Sequence, residues 1–135
     1  MSLLVPDVGE VLLLKYALNF SAAENQKMKL YATNVTPAEG DTAGSYTEAA
    51  GGGYAEKALT GSSWTVATSA GTTTGTYAAQ TYTFTGALTT NAIIYGYYVV
   101  AATAGTLLWA ELAAATFTPA TNGDTYTVTP AIQLA

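Results

Sequence analysis

The sequence predicts a mainly β protein, a single-domain antiparallel β-sandwich or jelly roll with one short N-terminal helix. Three observations carry that expectation. Seven or eight short segments rich in Thr, Tyr and Val recur at intervals of roughly 8–12 residues, separated by Gly, Pro, Asn and Asp. Several of them alternate apolar and polar residues with the period of a half-buried strand. The chain has 135 residues, 50% of them hydrophobic and none of them Cys, which is long enough to bury a core without disulfide staples.

Taken in order, residues 1–26 read as an arm and a helix, and residues 27–135 as strands. Residues 5–23 hold the only helical pattern, with Asp7 as a candidate cap and Val8, Val11, Leu12, Leu14 and Leu18 at spacings of three and four. Residues 27–35, KMKLYATNV, alternate Lys27, Lys29, Tyr31 and Thr33 with Met28, Leu30 and Ala32, as a half-solvated strand does. Residues 36–45 contain Pro37, Gly40 and Gly44 and read as a loop, and Gly51-Gly52-Gly53 marks a corner. GYAEKALT and SSWTVATS predict two strands broken at Gly61, whereas AGTTTGTY is a loop by composition. TYTFTG, residues 81–86, points Tyr82 and Phe84 inward. Residues 93–101 and 107–112 form a hairpin about Thr103–Thr106, in which Gly105 supplies a positive φ. DTYTVTPAIQLA is the last strand, with Tyr126 and Val128 on one face. The turns VTPAEGDT and FTPATNGDT echo each other and read as convergent use of one loop chemistry.

The hairpin raises the question of a membrane span, since no side chain from Asn91 to Ala110 is charged. Its length approaches the ~20 residues a spanning helix needs. Its aromatic and β-branched residues suit a pleated surface instead, and a turn interrupts it, so two strands are expected and no membrane partner. Four Lys, no Arg, no His and nine acidic residues give a net charge of −5. Nucleic-acid binding, which needs clustered cations, is not expected. The start MSLLVPDVGE lacks a basic n-region and breaks its apolar run at Pro6 and Asp7, so no signal peptide is expected.

Without His or Cys there is no base for a nucleophilic relay. Glu39 with Asp41, or Glu48 with Glu56, offers the two carboxyls of a glycosidase, but both pairs stand in Gly-rich, loop-like sequence. Asn122-Gly123-Asp124 and Glu39-Gly40-Asp41 offer oxygen ligands without the alternating Asp and Asn of a dedicated calcium loop, and turn formation accounts for both. The expectation is a non-enzymatic protein with no catalytic, cofactor-binding or metal-binding residues. Exposed aromatics could make a carbohydrate platform, yet Trp64, Trp109, Tyr82, Phe84 and Tyr98 lie in strand-like runs where core filling is the default.

Both faces of residues 93–101 are apolar, so the second face must be covered by the N-terminal helix or by another subunit. Strict alternation places Leu107, Trp109 and Glu111 on one strand face and Leu108, Ala110 and Leu112 on the other. Trp109 is then a core or subunit-interface anchor, with Glu111 reaching solvent or a partner's donor. Leu3, Leu4 and Val5, together with Tyr95, Tyr97 and Trp109, are the interface candidates, and residues 1–11 the candidate docking arm.

LVPDVGE, KLYATNVTP, GYAEKALTGSSWTV, YGYYVV with GTLLWAE, and NGDTYTVTP resemble a group of small virion proteins of tailed phages, over nearly the whole chain. The Ala-rich AELAAAT departs from that group, where bulkier or charged side chains stand. The resemblance implies a virion component assembled in the host cytoplasm. It points first to a capsid decoration (cement) protein that binds the major capsid protein and stabilises the head shell, in all expectation as a homotrimer. A tail or baseplate component, or a receptor- or carbohydrate-binding module, is the alternative.

Overall fold

A computed structural model describes residues 2–134. Ten strands and one helix follow the chain as β1 (Ser2–Leu4), α1 (Asp7–Ala17), β2 (Gln26–Tyr31), β3 (Lys57–Leu59), β4 (Thr65–Ser69), β5 (Thr72–Thr76), β6 (Gln80–Thr83), β7 (Ile94–Ala101), β8 (Leu107–Phe117), β9 (Thr125–Val128) and β10 (Ala131–Leu134). The protein is mainly β and its strand pairings are antiparallel, as expected. Five strands form the main sheet in the order β1-β8-β7-β2-β3, three form a second sheet, β10-β5-β4, and β6 pairs with β9.

The β7–β8 hairpin is the centre of the main sheet. It turns where the sequence places the turn, with Gly105 at φ 70° and its N–H donating to the Ala101 carbonyl at 2.9 Å. A second tie is less visible in the sequence: the Glu24 carboxylate accepts the backbone N–H groups of Thr103 and Ala104. Those bonds hold its pKa below the usual carboxylate range.

Each face of β7 is buried against a different part of the same chain. Tyr97, Val99 and Ala101 face the larger core, where they meet Tyr82, Phe84, Trp109 and Val128. Tyr98 and Val100 face a second cluster containing Tyr31, Tyr46, Leu107 and Ala110, against which Val8 of α1 and Val35 and Ala43 of the following loop also pack. The helix and the 35–46 segment thus supply the cover that two apolar faces require. The Tyr46 and Tyr98 rings stack at 5.2 Å with Tyr31 beside them. Burial pushes the Tyr98 hydroxyl up to about 12.

Several expectations are corrected. The helix is Asp7–Ala17 rather than residues 5–23: Pro6, not Asp7, is its cap residue, and the chain leaves the helix at Leu18, before Asn19 at φ 55°. It packs on β8 at Gly9, where any Cβ would run into the Leu108 carbonyl oxygen, so only glycine allows this approach. That contact selects the face formed by Val8, Gly9, Leu12 and Leu13 for burial, and leaves Val11, Leu14 and Leu18 outside.

The segment read as the loop AGTTTGTY contains β5. Its β-branched Thr residues pair with β4 through a two-residue turn at Ala70 (φ 48°) and Gly71 (φ 82°), the geometry that lets right-twisted strands meet. The strand at residues 27–35 stops at Tyr31, and the final strand is cut by Pro130 into β9 and β10. A register shift between Val99 and Val100 inserts one extra residue in β8. Leu108 therefore joins Trp109 in the larger core while Leu107 joins Ala110 in the second cluster, overturning strict alternation. Tyr82 and Phe84 point inward as expected, at 2% and 0% exposure.

Candidate functional site

The six interface candidates divide by what their own chain does with them. Tyr97 and Trp109 are buried, at 4% and 3% exposure, so within the folded chain they fill the core. Leu3 and Val5 are half-buried against the same core, and Leu4 is half-buried beside them. Tyr95 is half-buried against the second cluster. The N-terminal arm is not free: Ser2, Leu3 and Leu4 pair with Leu112, Glu111 and Ala110 as the edge strand of the main sheet. Met1 of the candidate docking arm lies outside the described residues.

Glu111 is not at a wet strand end. It is 8% exposed and accepts a hydrogen bond from the Tyr97 hydroxyl at 2.5 Å; burial first, and this bond second, raise the Tyr97 pKa well above its ordinary value. These two groups stand at the floor of a groove of about 880 Å³ between β8, β9 and β10, with Tyr126, Thr127 and Gln133 among its walls. Beside them the Trp109 Nε1–H has no hydrogen-bond partner among the described residues, while the indole packs edge-on against Trp64 at 5.8 Å.

Glu48, Glu56, Asp41 and Asp124, among the carboxylates singled out in the sequence, do structural work. Lys29 bridges Glu48 at 2.9 Å and Glu56 at 3.3 Å, and Lys27 meets Glu56 at 2.7 Å. Those ammonium groups, Lys27 first, hold the Glu56 carboxyl below its usual range. Glu48 also accepts the Tyr54 hydroxyl, whose pKa burial pushes far up. The echoed turns close in the same way. Asp41 accepts the N–H of Ala38 three residues back, and Asp124 accepts that of Thr121, with matching backbone bonds from Asp41 to Ala38 and from Asp124 to Thr121. Each Asp thus ties its own turn closed, and Asp41 also accepts the Tyr46 hydroxyl.

The docking segment expected at residues 1–11 includes Val11 of the outer face of α1, but Leu14, Leu18 and Phe20 beyond it escaped the sequence reading as a site. Val11, Leu14, Leu18 and Phe20 are 55%, 59%, 71% and 77% exposed. They continue one another along and just past the helix, with Lys15 placing its ammonium 5.7 Å from the Phe20 ring centre. A helix this apolar on both sides gives a weak periodic signal, and only the Gly9 contact reveals which side is inward. No helix among the described residues is long and apolar enough to cross a membrane.

No protein-family model matches the chain, and no curated protein or solved structure matches it either.

Proposed function

We propose that this is a non-enzymatic virion structural protein, a capsid decoration protein that binds the major capsid protein and stabilises the head shell. The observation that carries the proposal is the apolar stripe Val11, Leu14, Leu18 and Phe20, held outward by a helix whose other side is fixed to β8. Singly exposed apolar residues are ordinary, but four of them, two on α1 and two at and just beyond its C-terminus, mark a contact surface. The resemblance of the sequence to small tailed-phage virion proteins supplies the partner. A decoration protein acts by area and shape repeated over many symmetric contacts, so it needs a rigid body and an adhesive face rather than a reactive centre. Of the two grounds for a trimer, the resemblance to decoration proteins and the second apolar face of β7, the second is met within the chain, since α1 and the 35–46 segment cover that face.

Immunogold labelling of virions that carry the protein tests the location, with label over the heads expected. Label confined to the tail or its tip would overturn the capsid reading in favour of a tail component. Cosedimentation with shells of the major capsid protein tests the face. Leu14→Asp with Leu18→Asp is expected to abolish binding while leaving the melting temperature within a few degrees of wild type, because both side chains are already in water.

A further inference from the structure

We propose that the open edge of the β10-β5-β4 sheet pairs two copies of this chain, β4 against β4, into one continuous six-stranded antiparallel sheet. Every residue of β4 is exposed, and β4 ends its sheet with no neighbour among the described residues. Proteins normally guard such an edge with Lys, Pro, a bulge or a covering loop, because its unpaired N–H and C=O groups are a template for another strand. TVATS has none of these devices: no charge, no proline, and an unbroken register from Thr65↔Thr76 to Ser69↔Thr72.

The ladder fixes which groups are free. Ser69 and Thr72 flank the two-residue turn and form its nearest hydrogen-bonded pair, and the pattern alternates from there. The Thr68 and Thr73 hydroxyls, 2.8 Å apart, fit the closer, non-hydrogen-bonded pair that comes next. Val66 and Thr68 accordingly turn their backbone N–H and C=O groups to the open side. With Ala67 on a two-fold axis, Val66 of one copy meets Thr68 of the other, twice over, and each meeting closes two backbone hydrogen bonds.

Charge identifies the second copy as the occupant. Two chains of net charge −5 repel, so they must meet where no charge lies. No residue from Ala58 to Ala110 is charged, and after Lys57 only Glu111 and Asp124 are. Strands β4, β5 and β10 contain none of them. The sheet also has an apolar side: register puts Val66, Thr68, Thr73, Gly75, Ile132 and Leu134 on one face. Val66 and Leu134 on that face are 70% and 67% exposed, and pairing would continue it across the junction.

The contact is isologous and two-fold, and it is independent of the virion reading. Sedimentation equilibrium up to about 1 mM, a range in which a small edge contact registers, is expected to show a monomer–dimer equilibrium. Val66→Pro removes only an outward-facing N–H and is tolerable on an edge strand; it should give a monomer with the wild-type circular dichroism. Val66→Lys, which leaves the backbone unchanged, should weaken the dimer about tenfold or more by setting two cations near the axis. A wild type that stays monomeric throughout overturns the proposal. So does a dimer that both variants keep.

Discussion

Strands β7 and β4 are both uncharged and both built largely from β-branched, aromatic and small residues. Yet only Tyr95 in β7 is even half-exposed, whereas all of β4 is in water. Residue type does not separate them; position in the sheet does. β7 lies between β8 and β2, with a core on one face and the α1 cluster on the other. β4 is an edge with a partner on one side. Hydrophobic stabilisation follows area removed from water, so the chain is held together by the main sheet and the core packed on it, and the β4 edge of the second sheet is free to serve contacts outside it.

Substitutions that sharpen this contrast should rank accordingly. Trp109→Ala in β8 removes a buried indole and is expected to cost about 3–5 kcal/mol, enough to unfold a marginal domain; thermal unfolding followed by near-ultraviolet circular dichroism measures it. A loss below about 1 kcal/mol would show that the large core tolerates voids better than its packing implies.

Tyr97→Phe leaves Glu111 buried without its donor and should cost about 1–3 kcal/mol by denaturant unfolding. The buried tyrosines of the core predict an alkaline limit. Burial, before any other cause, raises Tyr31, Tyr54, Tyr82 and Tyr97 above their ordinary value. The unfolded chain gives up these protons near pH 10 while the folded chain holds them. Stability is then complete below about pH 10 and falls as pH rises further. A melting temperature that stays level from pH 9 to about pH 12 would contradict that burial.

The smallest effect belongs to β4. Val66→Thr, at a side chain 70% exposed, should change monomer stability by less than about 0.5 kcal/mol, measured at a concentration where the chain does not associate. A larger loss would mean that β4 contributes to the fold and not only to its surface.

The same contrast explains what the sequence could show. The β7–β8 hairpin was legible because its apolar run is long and Gly105 stands where the turn needs it. Tyr82 and Phe84 were legible because strict alternation holds there. β5 was not, because Gly-bracketed Thr residues look like a loop until β4 and β10 pair with them. β1 is only three residues long, too short to have a period. The extra residue at the start of β8 reverses the face of Leu107 without leaving any trace in residue type. For α1, the spacing gave one stripe that mixed Val8 and Leu12 with Val11, Leu14 and Leu18, and the missing Cβ of Gly9 shows that only the first two turn inward.

The distribution of charge along the fold has a practical consequence for proteolysis. The four lysines stand at positions 15, 27, 29 and 57, and there is no arginine. Trypsin can therefore open only α1 and the β2–β3 side of the main sheet, and even an unfolded chain yields residues 58–135 as one large, almost uncharged peptide. Most of the core and the whole of the exposed sheet would travel in that single fragment. Tryptic mass mapping would see the protein chiefly through residues 1–57, while intact-mass measurement or a chymotryptic digest, cutting at the tyrosines, would read the remainder.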